Sequence, residues 1–228
     1  MHLKYINNFL IPKTMNLSDI NNKIGILAVC FSLFVIGKTN AQDWALEKDN
    51  SGVKVYTRLI KGWDLKQFKG VVNVKSNLKT VEKTLRNDVG RCRWMYNTFD
   101  TKDVKKVSDN EIYCYSRVAA PWPVSDRDNV TKYTYKKVSD SEMYVYFTNV
   151  TGVIAEKSGI VRIKKMEGYW HFKETSSLNV QVSQVAVAEA GGSIPAWLAN
   201  SAIIDSPFYT LLNLKKHIEA NPSLHVKN

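Results

Sequence analysis

From residue 53 onward the chain alternates apolar and polar residues over long stretches, and a period of two is the signature of strands with one buried face. Val53-Lys54-Val55-Tyr56-Thr57-Arg58-Leu59 shows it directly after Gly52, and Lys61-Gly62 then turns the chain. A second strand is predicted over residues 68–74. Between Asn77 and Arg86 the period changes: Leu78, Val81 and Leu85 stand three and four residues apart behind an asparagine suited to a cap, which predicts a short amphipathic helix. From Tyr96 to Ala188 the alternation returns, in runs over residues 111–118, 129–138, 142–149, 159–166, 169–174 and 178–187. Ser108-Asp109-Asn110, Ser139-Asp140-Ser141 and Glu167-Gly168 separate these runs as hairpin turns do.

The last segment returns to helical spacing. After Gly191-Gly192-Ser193 and Pro195, the apolar residues Ile194, Trp197, Leu198, Ile204, Phe208, Leu211, Leu212, Leu214 and Ile218 predict a long terminal helix capped at Ser193 and kinked at Pro207. Its stripe is wide and must cover something apolar. A curved antiparallel sheet of six or seven strands is the available partner.

Composition agrees with a packed fold. The 228 residues are 44% hydrophobic and 11% aromatic, which excludes a disordered or collagen-like chain. The first forty residues are a separate matter. Residues 24–37 read IGILAVCFSLFVIG, an uncharged run too short for the roughly 20 residues of a membrane-spanning helix. Lys4, Lys13 and Lys23 precede it and Thr39-Asn40-Ala41 follow, the pattern of a secretory signal peptide. The expectation is cleavage after Ala41, export to the periplasm and a single domain over residues 42–228; a retained N-terminal anchor is the alternative, and Met15 is a second candidate start. The remaining 187 residues hold 28 basic and 20 acidic side chains, a net charge of +8 against +11 for the whole chain. Lys and Arg are spread rather than massed, so no nucleic-acid partner is expected, and weak contact with an anionic membrane is the use proposed for the charge. A monomer is expected.

Strong enzymatic signatures are missing: there is no P-loop, GxGxxG, GxSxG or HExxH. His171 alternates with Trp170 and Phe172 on a strand and His217 sits beside Lys215 and Lys216 on a helix end, both read as structural or solvated. Asp126 and Asp128 flank Arg127; they have the spacing of a general acid and base, but the intervening arginine favours ion pairs and turn hydrogen bonds. Cys92 and Cys114 are read as small hydrophobes or as one disulfide. No Cys/His cluster calls for a metal, and no cofactor is expected.

The segment Ala119-Ala120-Pro121-Trp122-Pro123-Val124-Ser125-Asp126-Arg127-Asp128 resembles the PWPVSxRD segment of START domains, the steroidogenic-acute-regulatory-protein-related lipid transfer family. Glu156-Lys157-Ser158-Gly159-Ile160-Val161-Arg162 resembles the family's KxGxVR strand start, and Gly192-Ser193-Ile194-Pro195-Ala196-Trp197-Leu198-Ala199-Asn200 the opening of its C-terminal helix. Gly52 to Tyr56 and Arg93-Trp94 agree in order and spacing. The resemblance implies an α+β helix-grip fold, a curved antiparallel sheet wrapped around a long C-terminal helix with an apolar tunnel for one lipid, and binding or transfer without chemistry on the ligand. An enzyme of cyclase or hydrolase type on the same scaffold, using groups such as Tyr133, Tyr135, Cys114 and Asp128, and a non-transporting interaction protein are the other readings.

By register from the Arg127-Asp128 segment, Ile112, Cys114 and Ser116 share one strand face and Thr131, Tyr133 and Tyr135 another, and these faces are expected to line the tunnel. Trp94, Phe147, Trp197, Ile204, Phe208 and Leu211 complete the expected wall. Trp122, Arg127 and Asp128 are expected to be structural. The buried acidic and basic pair of sterol-carrying relatives falls on Cys114 and Tyr133, which argues against cholesterol and for a different lipid.

Overall fold

The computed structural model describes residues 43–87, 89–176, 178–192 and 194–221. The predicted leader and the Ser193 cap lie outside the described residues. The strands are β1 (Ala45–Asn50), β2 (Val53–Arg58), β3 (Gln67–Val74), β4 (Thr98–Ser108), β5 (Glu111–Val118), β6 (Arg127–Ser139), β7 (Glu142–Asn149), β8 (Val161–Arg162), β9 (Met166–Ser176) and β10 (Asn179–Ala188), of which β1 and β4 match no run named from the sequence. They form one ten-stranded sheet in the order β1-β2-β3-β10-β9-β7-β6-β5-β4, antiparallel throughout except that the short β8 runs parallel to β6. The count exceeds the six or seven expected. β1 has no buried side chain and therefore no period of two to read. The run over residues 159–166 shrinks to two paired residues because a turn closed by Ile160 N–H donating to Lys157 O occupies its start.

Helix α1 (Leu78–Arg86) forms where the spacing predicts it, with Asn77 Oδ1 accepting from Thr80 N–H at 2.9 Å and Leu78, Val81 and Leu85 buried. A 3₁₀ turn, Val89–Arg93, follows. The terminal helix is broken into α2 (Ala196–Asn200), a π turn (Ser201–Asp205) and α3 (Ser206–Glu219). Pro207 stands in the first turn of α3, so the disruption lies ahead of it. A proline ring clashes with the carbonyl four residues back, and a wider turn before it relieves that clash.

The sheet curls. Phe68 on β3 and Ser116 on β5 line the same cavity although five strand spacings separate them, about 24 Å in a flat sheet. The inward positions are Ile112, Cys114 and Ser116 on β5 and Thr131, Tyr133 and Tyr135 on β6, all buried, so the register read from the sequence carries into the fold. The interior has two characters. Toward α1 it is filled by large side chains, among them Trp94, Phe172, Leu214 and Ile218. Toward β8 and α2 the inward residues shrink to Ala186, Ala188, Ser116 and Ala202, and there it is hollow.

Two ion pairs, one buried and one joining a buried arginine to an exposed carboxylate, brace the structure. Asp128 and Arg162 meet in a fork, Nε to Oδ1 at 2.6 Å and Nη2 to Oδ2 at 3.0 Å, which ties β8 to β6. Arg91, buried in the 3₁₀ turn, donates to Asp103 Oδ1, to Cys114 Sγ at 3.0 Å and to Leu85 O at 3.2 Å.

Candidate functional site

Two cavities share a wall beneath the terminal helix. The inner chamber, ≈ 210 Å³, is bounded by Phe68, Met95, Ser116, Asn129, Thr131, Tyr133, Phe147, Met166, Trp170, Gln184 and Ala186 on the sheet side and by Ala202, Ser206 and Thr210 on the helix side. The outer chamber, ≈ 220 Å³, is bounded by Leu65, Ala119, Ala120, Val187, Ile194, Leu198 and Ile203, with Lys66, Arg127 and Glu189 at its edge. Phe68, Tyr96, Val118, Asn129, Ala188, Ala202 and Ser206 belong to both.

On the helix side the lining residues are Leu198, Ala202, Ser206 and Thr210, each four positions after the last. On an ordinary helix of 3.6 residues per turn a spacing of four drifts around the axis. The wider π turn at Ser201–Asp205 offsets that drift and keeps small residues over the chambers. Thr210 Oγ1 accepts from Tyr96 N–H at 3.1 Å and so fixes α3 against the segment before β4.

Of the residues singled out from the sequence, Ser116, Thr131, Tyr133 and Phe147 line the inner chamber. Ile112, Cys114 and Tyr135 continue the same faces into the filled end, and none of them lines either of these two chambers. Trp94 stands behind Trp170, edge-on at 6.0 Å, and Trp170 takes the wall position. Leu211 is packed on β3, and Phe208 lies under Lys48 Nζ, 4.1 Å from its ring centre. Trp197 is 55% exposed, and Ile204 is half-buried outside both walls; the small residues Ala202, Ser206 and Thr210 face the inner chamber, and Ile194, Leu198 and Ile203 the outer one. Asn129, Gln184 and the stripe through Ala202 and Ser206 were not singled out; small residues recurring every four positions are the signal that marks that stripe.

The motif residues divide differently from their expected common role. Asp128 is structural, paired with Arg162. Asp126 pairs with Arg117, its Oδ2 accepting from Nη2 at 2.6 Å, and accepts from Ala120 N–H at 3.1 Å. Arg127 takes neither carboxylate: it donates to Ser125 O and borders the outer chamber, and burial lowers its pKa. Trp122 is 92% exposed at the tip of the loop that Asp126 closes. Cys92 and Cys114 are not joined in a disulfide, and Cys92 Sγ lies 3.1 Å from Thr101 Oγ1.

Electrostatically the inner chamber is quiet. Burial, seconded by Cys114, pushes the Tyr133 hydroxyl up, and burial pushes Tyr135 up to about 12, so both stay neutral. Burial works against the Arg91 charge, but Cys114, Tyr133 and Asp103 outweigh it and its pKa rises. His171 points outward, stacked on Tyr144 at 4.3 Å with Nε2 2.7 Å from Glu142 Oε1. Among the described residues no cluster of His, Cys, Asp and Glu could hold a metal, and no helix is long and apolar enough to cross a membrane.

No family model matches the chain. A solved structure of a STAR-related lipid transfer protein from Xanthomonas axonopodis is 37% identical, covers 77% of this chain and 98% of its own, and superposes with a TM-score of 0.71. The chain belongs to the StAR-related lipid transfer family. An uncharacterized protein of Pseudomonas aeruginosa is 34% identical to this StAR-related protein over 185 residues, 81% of this chain and 91% of the relative. The phosphatidylcholine transfer protein of Rattus norvegicus is 26% identical over 167 residues, 70% of this chain and 76% of its own. A Streptomyces aromatase/cyclase, 11% identical with a TM-score of 0.53 over 70% of this chain and 98% of its own, shares the fold alone.

Proposed function

We propose that this StAR-related protein holds one lipid molecule in the paired chambers between sheet and terminal helix and carries it through water without chemistry on it. The observation that carries this reading is the hollow half of the interior, walled by Phe68, Met166, Phe147, Ala186 and Ala188 and roofed by small helix residues. Covering the ligand's apolar surface is favourable by about 25 cal/mol per Å². Together the chambers fall in the lower half of the usual range for ligand sites, about 300–1,000 Å³, room for one amphiphile.

A reading as an enzyme has less support in the inner chamber. Asp128 is engaged by Arg162, Cys114 by Arg91, and the titratable side chains among the described residues on the inner chamber are Tyr96 and Tyr133. Loading is expected through the outer chamber. Trp122 and Trp197 are exposed beside its lining residues Ala120 and Leu198, and tryptophans of this kind settle at the headgroup level of a bilayer, aided by the basic surplus. Export with cleavage after Ala41 is part of the same proposal, and N-terminal sequencing of the protein from a periplasmic fraction tests it.

The main experiment is mass spectrometry of an organic extract of the purified protein. A lipid at about one per chain supports carriage. None, even after delipidated protein has been incubated with total lipid vesicles, overturns it.

A further inference from the structure

The inner chamber combines two properties that together select a headgroup. Among the described residues lining it there is no Asp, Glu, Lys, Arg or His. Yet its wall is not purely apolar: Asn129 on β6 and Gln184 on β10 both line it, Gln184 at a position where its neighbours along the strand, Val182, Ser183, Val185 and Ala186, are buried apolar or small side chains. Asn129 Oδ1 accepts the Thr131 hydroxyl at 2.8 Å, and Ser116 stands opposite Asn129 on the neighbouring strand. Among the described residues the Gln184 amide has no hydrogen-bond partner, and the Asn129 amide has only that one. An amide held in a largely apolar cavity without its partners is costly, and a bound group that supplies them recovers that cost.

We propose that the ligand is an uncharged amphiphile whose hydroxyl, carbonyl or amide group is buried between Asn129 and Gln184, in place of a phosphate- or ammonium-bearing lipid. This deepens the lipid-carrier reading and rests on it. A charged headgroup in this chamber would be desolvated with no counter-charge on the wall. The buried cation Arg91 lies behind Tyr133 with its guanidinium centre 5.9 Å from that ring, already engaged by Asp103, Cys114 and Leu85 O. The charges that do border the ligand space, Lys66, Arg127 and Glu189, stand at the outer chamber, toward the exposed end of the cavity. The arrangement therefore differs from what the name of the phosphatidylcholine transfer relative suggests for its own cargo.

The test uses delipidated protein and vesicles of phosphatidylethanolamine and phosphatidylglycerol, doped in separate runs with radiolabelled monoolein, ceramide, cholesterol, phosphatidylcholine, phosphatidylglycerol or oleate. After gel filtration the label retained per chain is counted. The expected result is near-stoichiometric retention of at least one of the three uncharged probes, with each charged probe retained roughly tenfold less. Retention of any charged probe at the level of the best uncharged one overturns the inference and leaves carriage intact. Retention of none, together with an empty extract, brings down the carrier reading itself. Gln184→Met and Asn129→Leu are each expected to lower retention of the favoured probe by up to about tenfold, with melting temperatures close to that of the unmodified protein. Full retention in both variants overturns the role of the two amides. A variant that melts early is replaced by Gln184→Glu, which places a charge in the same wall and is expected to lower retention of the favoured probe further; full retention there counts against the inference as well.

Discussion

Leu211 of α3 fills the space left by the missing side chain of Gly70 on β3: a Cβ at residue 70 would lie 2.4 Å from Leu211 Cδ1. This contact sets how closely the terminal helix lies on the sheet, and with it the height of the chambers further along the same helix. Leu211 is fully buried and has no room to swing away. Gly70→Val is expected to cost about 1–3 kcal/mol by overpacking. Leu211→Ala alone is expected to cost about 2–5 kcal/mol. In the double variant the two losses should sum to less than their separate values, which a thermodynamic cycle from urea melts measures.

The Asp128–Arg162 fork ties β8 to β6, and both side chains are almost completely buried. Arg162→Met leaves the carboxylate buried and alone. A loss of about 3–5 kcal/mol is expected, read as an earlier thermal transition. Replacing both residues together, Asp128→Leu with Arg162→Met, should cost less than the single change.

Asp126 closes the loop that carries Trp122. The Ala120 backbone N–H, then Arg117, hold its carboxyl below the ordinary carboxylate range against the opposing effect of burial. Its pKa is thus lower folded than unfolded, so its contribution is present above about pH 4 and is lost as pH falls through the folded value. Melts recorded between about pH 3 and pH 7 should show a steeper acid limb for the native protein than for Asp126→Asn, and the variant should be less stable at neutral pH by about 1–3 kcal/mol.

Filling the hollow end separates carriage from folding. Ala186→Phe puts a ring into the inner chamber, and its expected effect is loss of bound lipid while the cooperative melt remains. Lipid still present at about one per chain would place the cargo elsewhere.

Trp122→Ala and Trp197→Ala change exposed side chains and should leave the melting temperature within the small range of surface substitutions. Lipid uptake from anionic vesicles should slow in both, and uptake by the native protein should slow as salt rises.

Much of the architecture was legible in local patterns. The Asn77 cap and its three- and four-residue spacing marked α1, hairpin punctuation marked most strand boundaries, and Gly191 to Leu198 marked the start of the terminal helix. The face assignment on β5 and β6 was legible too, since register alone decides which side chains share a side. β1 was not, because an exposed edge strand has no buried face to imprint on the sequence. The break in the terminal helix was misplaced, because Pro207 announces a defect but the relief of its clash is distributed over the preceding turn.

The site divides along the same line. Alternation in the sequence determined that Ser116, Thr131 and Tyr133 turn inward, as Ile112, Cys114 and Tyr135 do. Only the tertiary structure decided which of them meet a cavity and which meet a packed core. Whether space is left depends on the combined volume of side chains brought together from β3, β5, β6, β7, β9, β10 and the helix, and no local stretch of sequence contains that sum.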